Sequence, residues 1–355
     1  MDASRPAIVT RRELLRRAGT AAFASGVARA LRAGEQGALS KPVKPPRLRR
    51  GDLVGLVAPA SANFLSTDIE IAQEVARALE LEPRLGAHVR DRHGYLAGRD
   101  EDRAADVSAF FADTRVRAVF AIRGGWGCAR VLPHLDWGAI GRNPKVLAGY
   151  SDITALHCAL HARTGLVTFH APNALAAWPP FSVEHFRRVV FEGEALAMTN
   201  PPGTEERLVQ SENRTRTIFP GRARGRLVGG NLTVLTALLG SPYVPSFDGA
   251  ILFLEDVRED IYRVDRMITQ LRLAGLLARI HGFAFGTCDE CGPGEGYGSL
   301  TLEEVLDEHV RPLGVPAYAG AMIGHQERQF TVPIGIEAEI DAGAGTIAML
   351  EPAVA

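Results

Sequence analysis

The chain has 355 residues, 46% of them apolar and 23% charged, a globular composition long enough for two ordinary domains. A formal net charge of −1 excludes a general nucleic-acid binder, which needs a basic surplus to neutralise phosphate. No apolar run approaches the roughly 20 residues that span a bilayer, and four cysteines in such a length are not a disulfide framework.

Residues 1–34 differ from the rest. TRRELLRRAGTAAFASGVARAL sets Arg11 and Arg12 ahead of Leu14, Leu15 and an Ala-rich stretch. That order is expected of a twin-arginine export signal, with small residues at Ala28, Ala30 and Ala33 near the cleavage point. Arg29 interrupts the apolar region, so an amphipathic helix is the alternative. The expected location is the periplasm, or the cytoplasm if the segment is not a signal. Residues 35–50, ending in KPVKPPRLRR, read as a Pro-rich basic linker.

From 51 to 180 strands alternate with helices. DLVGLVAP is a strand, and STDIEIAQEVARALE a helix with Thr67 or Asp68 as N-cap. EPRLGAHV, VRAVFAI, KVLAGY and LVTFHAP are further strands; DRAADVSAFFAD and SDITALHCALHART are further helices, the latter capped by Ser151 or Asp152. This alternation predicts a mainly parallel sheet with helices on both faces. Ligands bind such sheets at the carboxyl ends of the strands. Residues 181–222 lose the pattern and read as a crossover linker with short strands. Residues 223–355 carry GRLVGGNLTVLTALLGS, the apolar strand GAILFLEDV, two helices and a final series of short strands between Gly turns. The fold class expected is therefore α/β, with a smaller β-rich α+β C-terminal domain.

Three residues invite chemistry. Cys128 follows the corner AIRGGWG between a strand and a predicted helix. There the helix N-terminus would favour thiolate and its N–H groups would meet developing negative charge. The plainer alternative is a tight turn with Cys128 as a small buried filler. Glu255 ends the apolar strand ILFLED, where a carboxylate is costly unless paired; the alternative role is to cap the next turn. Asp256 would point the other way. His325, after Gly324, is alone in its segment, and lone histidines are usually structural. Together a nucleophile, a histidine base and a carboxylate make a triad. Weaker patterns surround these. His157 and His161 are four apart on one helix but lack an acidic third ligand, so no metal is expected. Cys288 and Cys291 suit a small disulfide after export. Ser151 in GYSD resembles a second nucleophile corner, though helix capping is its expected task.

Several long motifs in order resemble the L,D-carboxypeptidase family of murein recycling, related to the microcin-C self-immunity peptidases. They are VGLVAPAS, GYLAGRDEDRAADVSAFFAD, IRGGWG, LAGYSDITALH, GRLVGGNLTVLTALLGS, LFLEDVREDIYRVDRMITQL and GHQERQFTVPIG. The resemblance implies a serine-type peptidase with a nucleophile–His–Glu triad in a groove between domains, often in a homodimer, with no cofactor. Carried over, Cys128 stands at the nucleophile position where the family has serine, His325 is the base and Glu255 the orienter. Gly125 and Ala129 are the implied oxyanion donors. Arg123, Ser151 and Asn231 are candidate substrate contacts, each equally open to a structural role. The expected function is release of terminal D-alanine from murein tetrapeptides, with a muropeptide or other small peptide as partner. The alternatives are a non-catalytic periplasmic muropeptide-binding protein, prompted by Cys128, and a related peptidase or amidase of other specificity.

Overall fold

The computed structural model describes residues 41–203, 208–294 and 298–355. The segment read as an export signal lies outside the described residues. Five parallel strands build the first sheet: Leu53–Val57 (β1), Glu82–Leu85 (β2), Val116–Ala121 (β3), Val146–Gly149 (β4) and Thr168–His170 (β5). The order is β12-β5-β4-β3-β1-β2, where β12 is Val332–Ile334, antiparallel to β5. Apolar residues occupy both faces of β1 and β3, as strands covered on both sides require. Val54, Leu56, Ala118 and Phe120 face one core, with Ile69, Ala72 and Ala76 of helix α1 (Ser66–Ala78). Val57, Val119 and Ala121 face the other, with Val107 and Phe111 of helix α2 (Asp100–Ala112). Gly55 leaves the space that the Phe110 ring fills.

Among the described residues the second sheet has eight strands in the order β6-β14-β13-β8-β9-β10-β11-β7, where β6 is Ala197–Thr199, β7 Arg216–Phe219, β13 Glu337–Asp341 and β14 Thr346–Met349. Its middle is parallel: Arg222–Asn231 (β8), Ile251–Val257 (β9), Gly282–Asp289 (β10) and Ala317–Ala319 (β11). Ile251 and Phe253 join the first core, and Leu252 and Leu254 the second. Both cores therefore run through both sheets, and residues 41–355 form one compact unit.

Three expectations change. Segment 41–50 is no free linker: Val43 bridges Leu166, Lys44 pairs with Glu351 at 2.7 Å, and Leu48 is buried. The 181–222 crossover begins inside helix Pro180–Val190, whose Phe186 and Val189 are in the first core. It also gives Ala197–Thr199 (β6) and Arg216–Phe219 (β7) to the second sheet. Finally, β12 belongs to the sheet of the N-terminal half, so the boundary at 222/223 does not separate the sheets.

Candidate active site

Two strand ends bring a hydroxyl and a carboxylate to one imidazole. β4 ends at Gly149, and the chain turns through Tyr150 and Ser151 into the helix Thr154–Thr164 (α3). Ser151 has φ +65°, a left-handed conformation that costs an L-residue about 1–2 kcal/mol and is held only by its surroundings. Those surroundings are specific. Tyr150 N–H donates to Asn173 Oδ1 at 3.2 Å, and His157 Nε2–H donates to the Gly149 carbonyl at 2.8 Å. Asp152 accepts the Cys128 N–H at 2.7 Å, tying this corner to the neighbouring glycine corner. A Cβ on Gly124 would stand 2.9 Å from Ser151 Cβ, so glycine is what lets the two corners touch.

β9 carries Glu255 from the other sheet. Its side chain is fully buried, and Oε2 lies 2.8 Å from His325 Nδ1. His325 Nε2 in turn lies 3.0 Å from Ser151 Oγ. With Nδ1 protonated toward the carboxylate, Nε2 is the lone-pair nitrogen facing the hydroxyl. Gly324, at φ +123°, admits this approach: a Cβ there would stand 3.0 Å from Glu255 Oε2. Burial alone would lower the His325 pKa. The hydrogen bond and charge of Glu255, with the charges of Asp256 and Asp289, outweigh it and raise the value above the usual 6.5. The Tyr150 ring packs on the imidazole at 4.8 Å between centroids; burial and the charges of Glu255 and Asp289 push its phenol up to about 12, so it stays neutral.

Cys128 is not in this arrangement. It is 0% exposed and packs in the second core with Val131 and Leu132. Burial, then the Asp152 carboxylate, raise its pKa well above the ordinary thiol value, opposite to the lowering expected at a helix N-terminus. The helix behind it is a single turn, Cys128–Val131. Ala129 packs against the same core and does not line the groove, whereas Gly125 does. Asn231 is buried and N-caps the short helix Leu232–Ala237 (α4), accepting from Val234 N–H at 3.1 Å and donating to Asp256 at 3.0 Å. Ser151 caps nothing: the N-terminus of α3 has no side-chain cap. Arg123 lines the groove as expected. His161 packs against Gly335, and Cys288 and Cys291 are joined in a disulfide.

Two supports, Arg103 and Asn173, carried no signal in the sequence, and Asp152 was expected only as a helix cap. Arg103 is fully buried and donates to the carbonyls of Pro59 and Gly127, fixing the glycine corner. Asn173 and Asp152 fix the serine corner. The signal for Ser151 itself was a small residue two places after a strand-ending glycine and directly before a helix, the same pattern read at Cys128.

The groove holds about 720 Å³ and opens over Ser151 and His325. Its lining includes Asp68, Ile71, Gly124 and Gly125 from the N-terminal half of the chain and Val257, Arg258, Asp289 and Glu290 from the C-terminal half. Models of the LD-carboxypeptidase N-terminal and C-terminal domains match residues 54–171 and 224–340. A probable murein peptide carboxypeptidase of Bacillus subtilis is 38% identical over 327 residues, covering 90% of this chain and 98% of the relative. The chain belongs to the LD-carboxypeptidase family. A murein tetrapeptide carboxypeptidase of Pseudomonas aeruginosa is 34% identical over 297 residues, covering 81% of this chain and 92% of its own. Among solved structures, the microcin C7 self-immunity protein in complex with aspartyl sulfamoyl adenosine superposes with a TM-score of 0.79 at 26% identity. That match covers 88% of this chain and 100% of the other. The α/β fold with its β-rich second part is thus the LD-carboxypeptidase fold, and the chain is a peptidase of that family.

Proposed function

We propose that this LD-carboxypeptidase is a serine hydrolase that releases terminal D-alanine from murein tetrapeptides, with Ser151 as nucleophile, His325 as base and Glu255 as orienter. The observation that carries the reading is the unbroken relay Ser151 Oγ, His325, Glu255 at 3.0 and 2.8 Å. Ser151 Oγ attacks the carbonyl before the D-residue while Nε2 takes its proton. The imidazolium is stabilised by Glu255 and returns the proton to the leaving amine, giving free D-alanine and an acyl-serine ester. Water, deprotonated by the same nitrogen, then cleaves the ester. The N–H groups of Gly125 and Asp152 are the proposed oxyanion donors: Gly125 lines the groove, and the Asp152 nitrogen would be 3.4 Å from a Cβ on Gly124. Arg123 is the proposed receptor of the terminal carboxylate. Its only hydrogen bond among the described residues is a long one, 3.4 Å, to the Ala62 carbonyl.

The motive for a binding protein without turnover was a thiol at the nucleophile position; a hydroxyl meets the imidazole instead. Export and a homodimer remain part of the proposal, and the Cys288–Cys291 bond suits an oxidising compartment. The test incubates purified protein with disaccharide-tetrapeptide and separates the products. Equimolar tripeptide and free D-alanine are expected; tight binding without either product overturns the assignment.

A further inference from the structure

The glycine corner is tied at both ends and spanned by one residue. Upstream, the Ile122 N–H donates to the Val57 carbonyl at 2.8 Å. Downstream, the Gly127 carbonyl accepts from Arg103 at 3.0 Å, and the Cys128 N–H donates to Asp152 at 2.7 Å. Between these ties the backbone of residues 123–126 bonds to Ser61 alone among the described residues. The Ser61 N–H donates to the Gly124 carbonyl at 3.4 Å, and Ser61 Oγ accepts the Trp126 N–H at 3.0 Å. These two bonds fall on the two peptide units that flank the Gly125 α-carbon. A Cβ on Gly125, whose φ is +111°, would collide with Ser61 Oγ, so the hydroxyl lies directly against that α-carbon. Ser61 is itself held. It ends the motif VGLVAPAS, and its neighbours bond a second loop: the Ala97 N–H to the Ala60 carbonyl at 3.1 Å, and the Ala62 N–H to the Tyr95 carbonyl at 2.9 Å. The Gly124–Gly125 peptide is trans, so its N–H points opposite to the carbonyl that Ser61 holds. That Gly125 N–H has no acceptor among the described residues.

We infer that Ser61 is a positioning residue for the oxyanion donor: its hydroxyl, bonded to the Trp126 N–H, holds the Gly125 peptide in the orientation that meets the tetrahedral intermediate. The inference rests on the serine-hydrolase reading and adds to it the group that presets one donor. Ser61 takes no part in the relay of Ser151, His325 and Glu255, so its effect reaches the reaction only through Gly125. A donor fixed in advance needs no reorganisation as negative charge develops on the attacked carbonyl oxygen. Two adjacent glycines without a brace have a wide choice of backbone angles, and the donor would be spread over several orientations. That spread weakens the transition state more than the bound substrate, because the full charge exists only in the former.

Ser61→Ala and Ser61→Thr test this on disaccharide-tetrapeptide, with kcat expressed per folded molecule and the folded fraction taken from circular-dichroism melting. Ser61→Ala removes the acceptor of the Trp126 N–H. Its kcat is expected to fall by about tenfold or more, short of the roughly 10²–10³-fold lost with a whole oxyanion donor. KM should stay within about threefold of wild type, since the interaction is made in the transition state. Ser61→Thr keeps the hydroxyl and should recover most of the rate. The pH at which kcat/KM falls should be the same in all three proteins, because His325 and Glu255 are untouched. A wild-type kcat in Ser61→Ala, a loss carried by KM, or an equal loss in Ser61→Thr overturns the assignment and leaves the carboxypeptidase reading intact. Absence of D-alanine release by the wild type overturns both.

Discussion

Ser151 and Cys128 show how closely two residues can compete in one sequence. Each follows a glycine-bearing strand end and precedes a helix, and the choice between them is made by groups far away along the chain. Ser151 takes a left-handed backbone that lifts its hydroxyl into the groove; Cys128 takes an ordinary helical start and sinks into the core. No local pattern distinguishes these outcomes, because Asn173, His157 and Asp152 impose the first and the packing of Val131 and Leu132 imposes the second. Glu255 drew notice from the residues alone, since a carboxylate at the end of an apolar strand is costly unless paired, but it was equally open to a capping role. His325, a lone histidine, was singled out by the family motif GHQERQFTVPIG. Their coupling sets a pH dependence. His325 must be neutral to accept the serine proton, and its pKa is raised above 6.5, chiefly by Glu255 once burial is overcome. Activity should therefore fall as pH drops through a value above 6.5. In Glu255→Gln, where the supporting charge is gone, the remaining activity should have its inflection at lower pH. A pH profile of kcat/KM checks this, and identical inflections in the two proteins would contradict it.

At the level of elements, the central strands were legible and the edges were not. β1 is a continuous apolar run, β3 is interrupted only by exposed Arg117 and β9 only by Glu255 and Asp256 near its end, close to what burial on both faces demands. β12 is three residues long and pairs with a strand over 160 positions earlier, so neither its length nor its neighbours announce the sheet it joins. The β8–α4 junction shows how an element end can serve the site without touching it. Asn231 closes the first turn of α4 and also holds Asp256, the neighbour of Glu255 on β9. Asn231→Ala should remove the cap and strip a buried carboxylate of one donor, a loss of about 1–3 kcal/mol. Urea denaturation measures it; a loss below about 0.5 kcal/mol would mean that water replaces both bonds at this site.

For the whole molecule, strand–helix alternation was enough to expect a parallel sheet covered on both faces and a second β-rich part. It was not enough to see that the two sheets share their cores, because contacts between distant segments leave no periodic trace. Segment 41–50 illustrates this: its prolines and arginines read as a linker, yet Leu48 is buried and the Arg47 N–H bonds the Ala355 carbonyl at 3.1 Å. That shared core is what holds a serine on one sheet within 3.0 Å of a histidine positioned by the other. The direct test of this convergence is a side-by-side measurement of kcat/KM for D-alanine release by Ser151→Ala and Cys128→Ala. The first should fall by about 10⁴-fold or more, as when a triad nucleophile is removed, and the second should stay within about tenfold of wild type, as expected for a small group lost from the core. A protein that survives loss of the serine hydroxyl but is silenced by loss of the thiol would contradict the account.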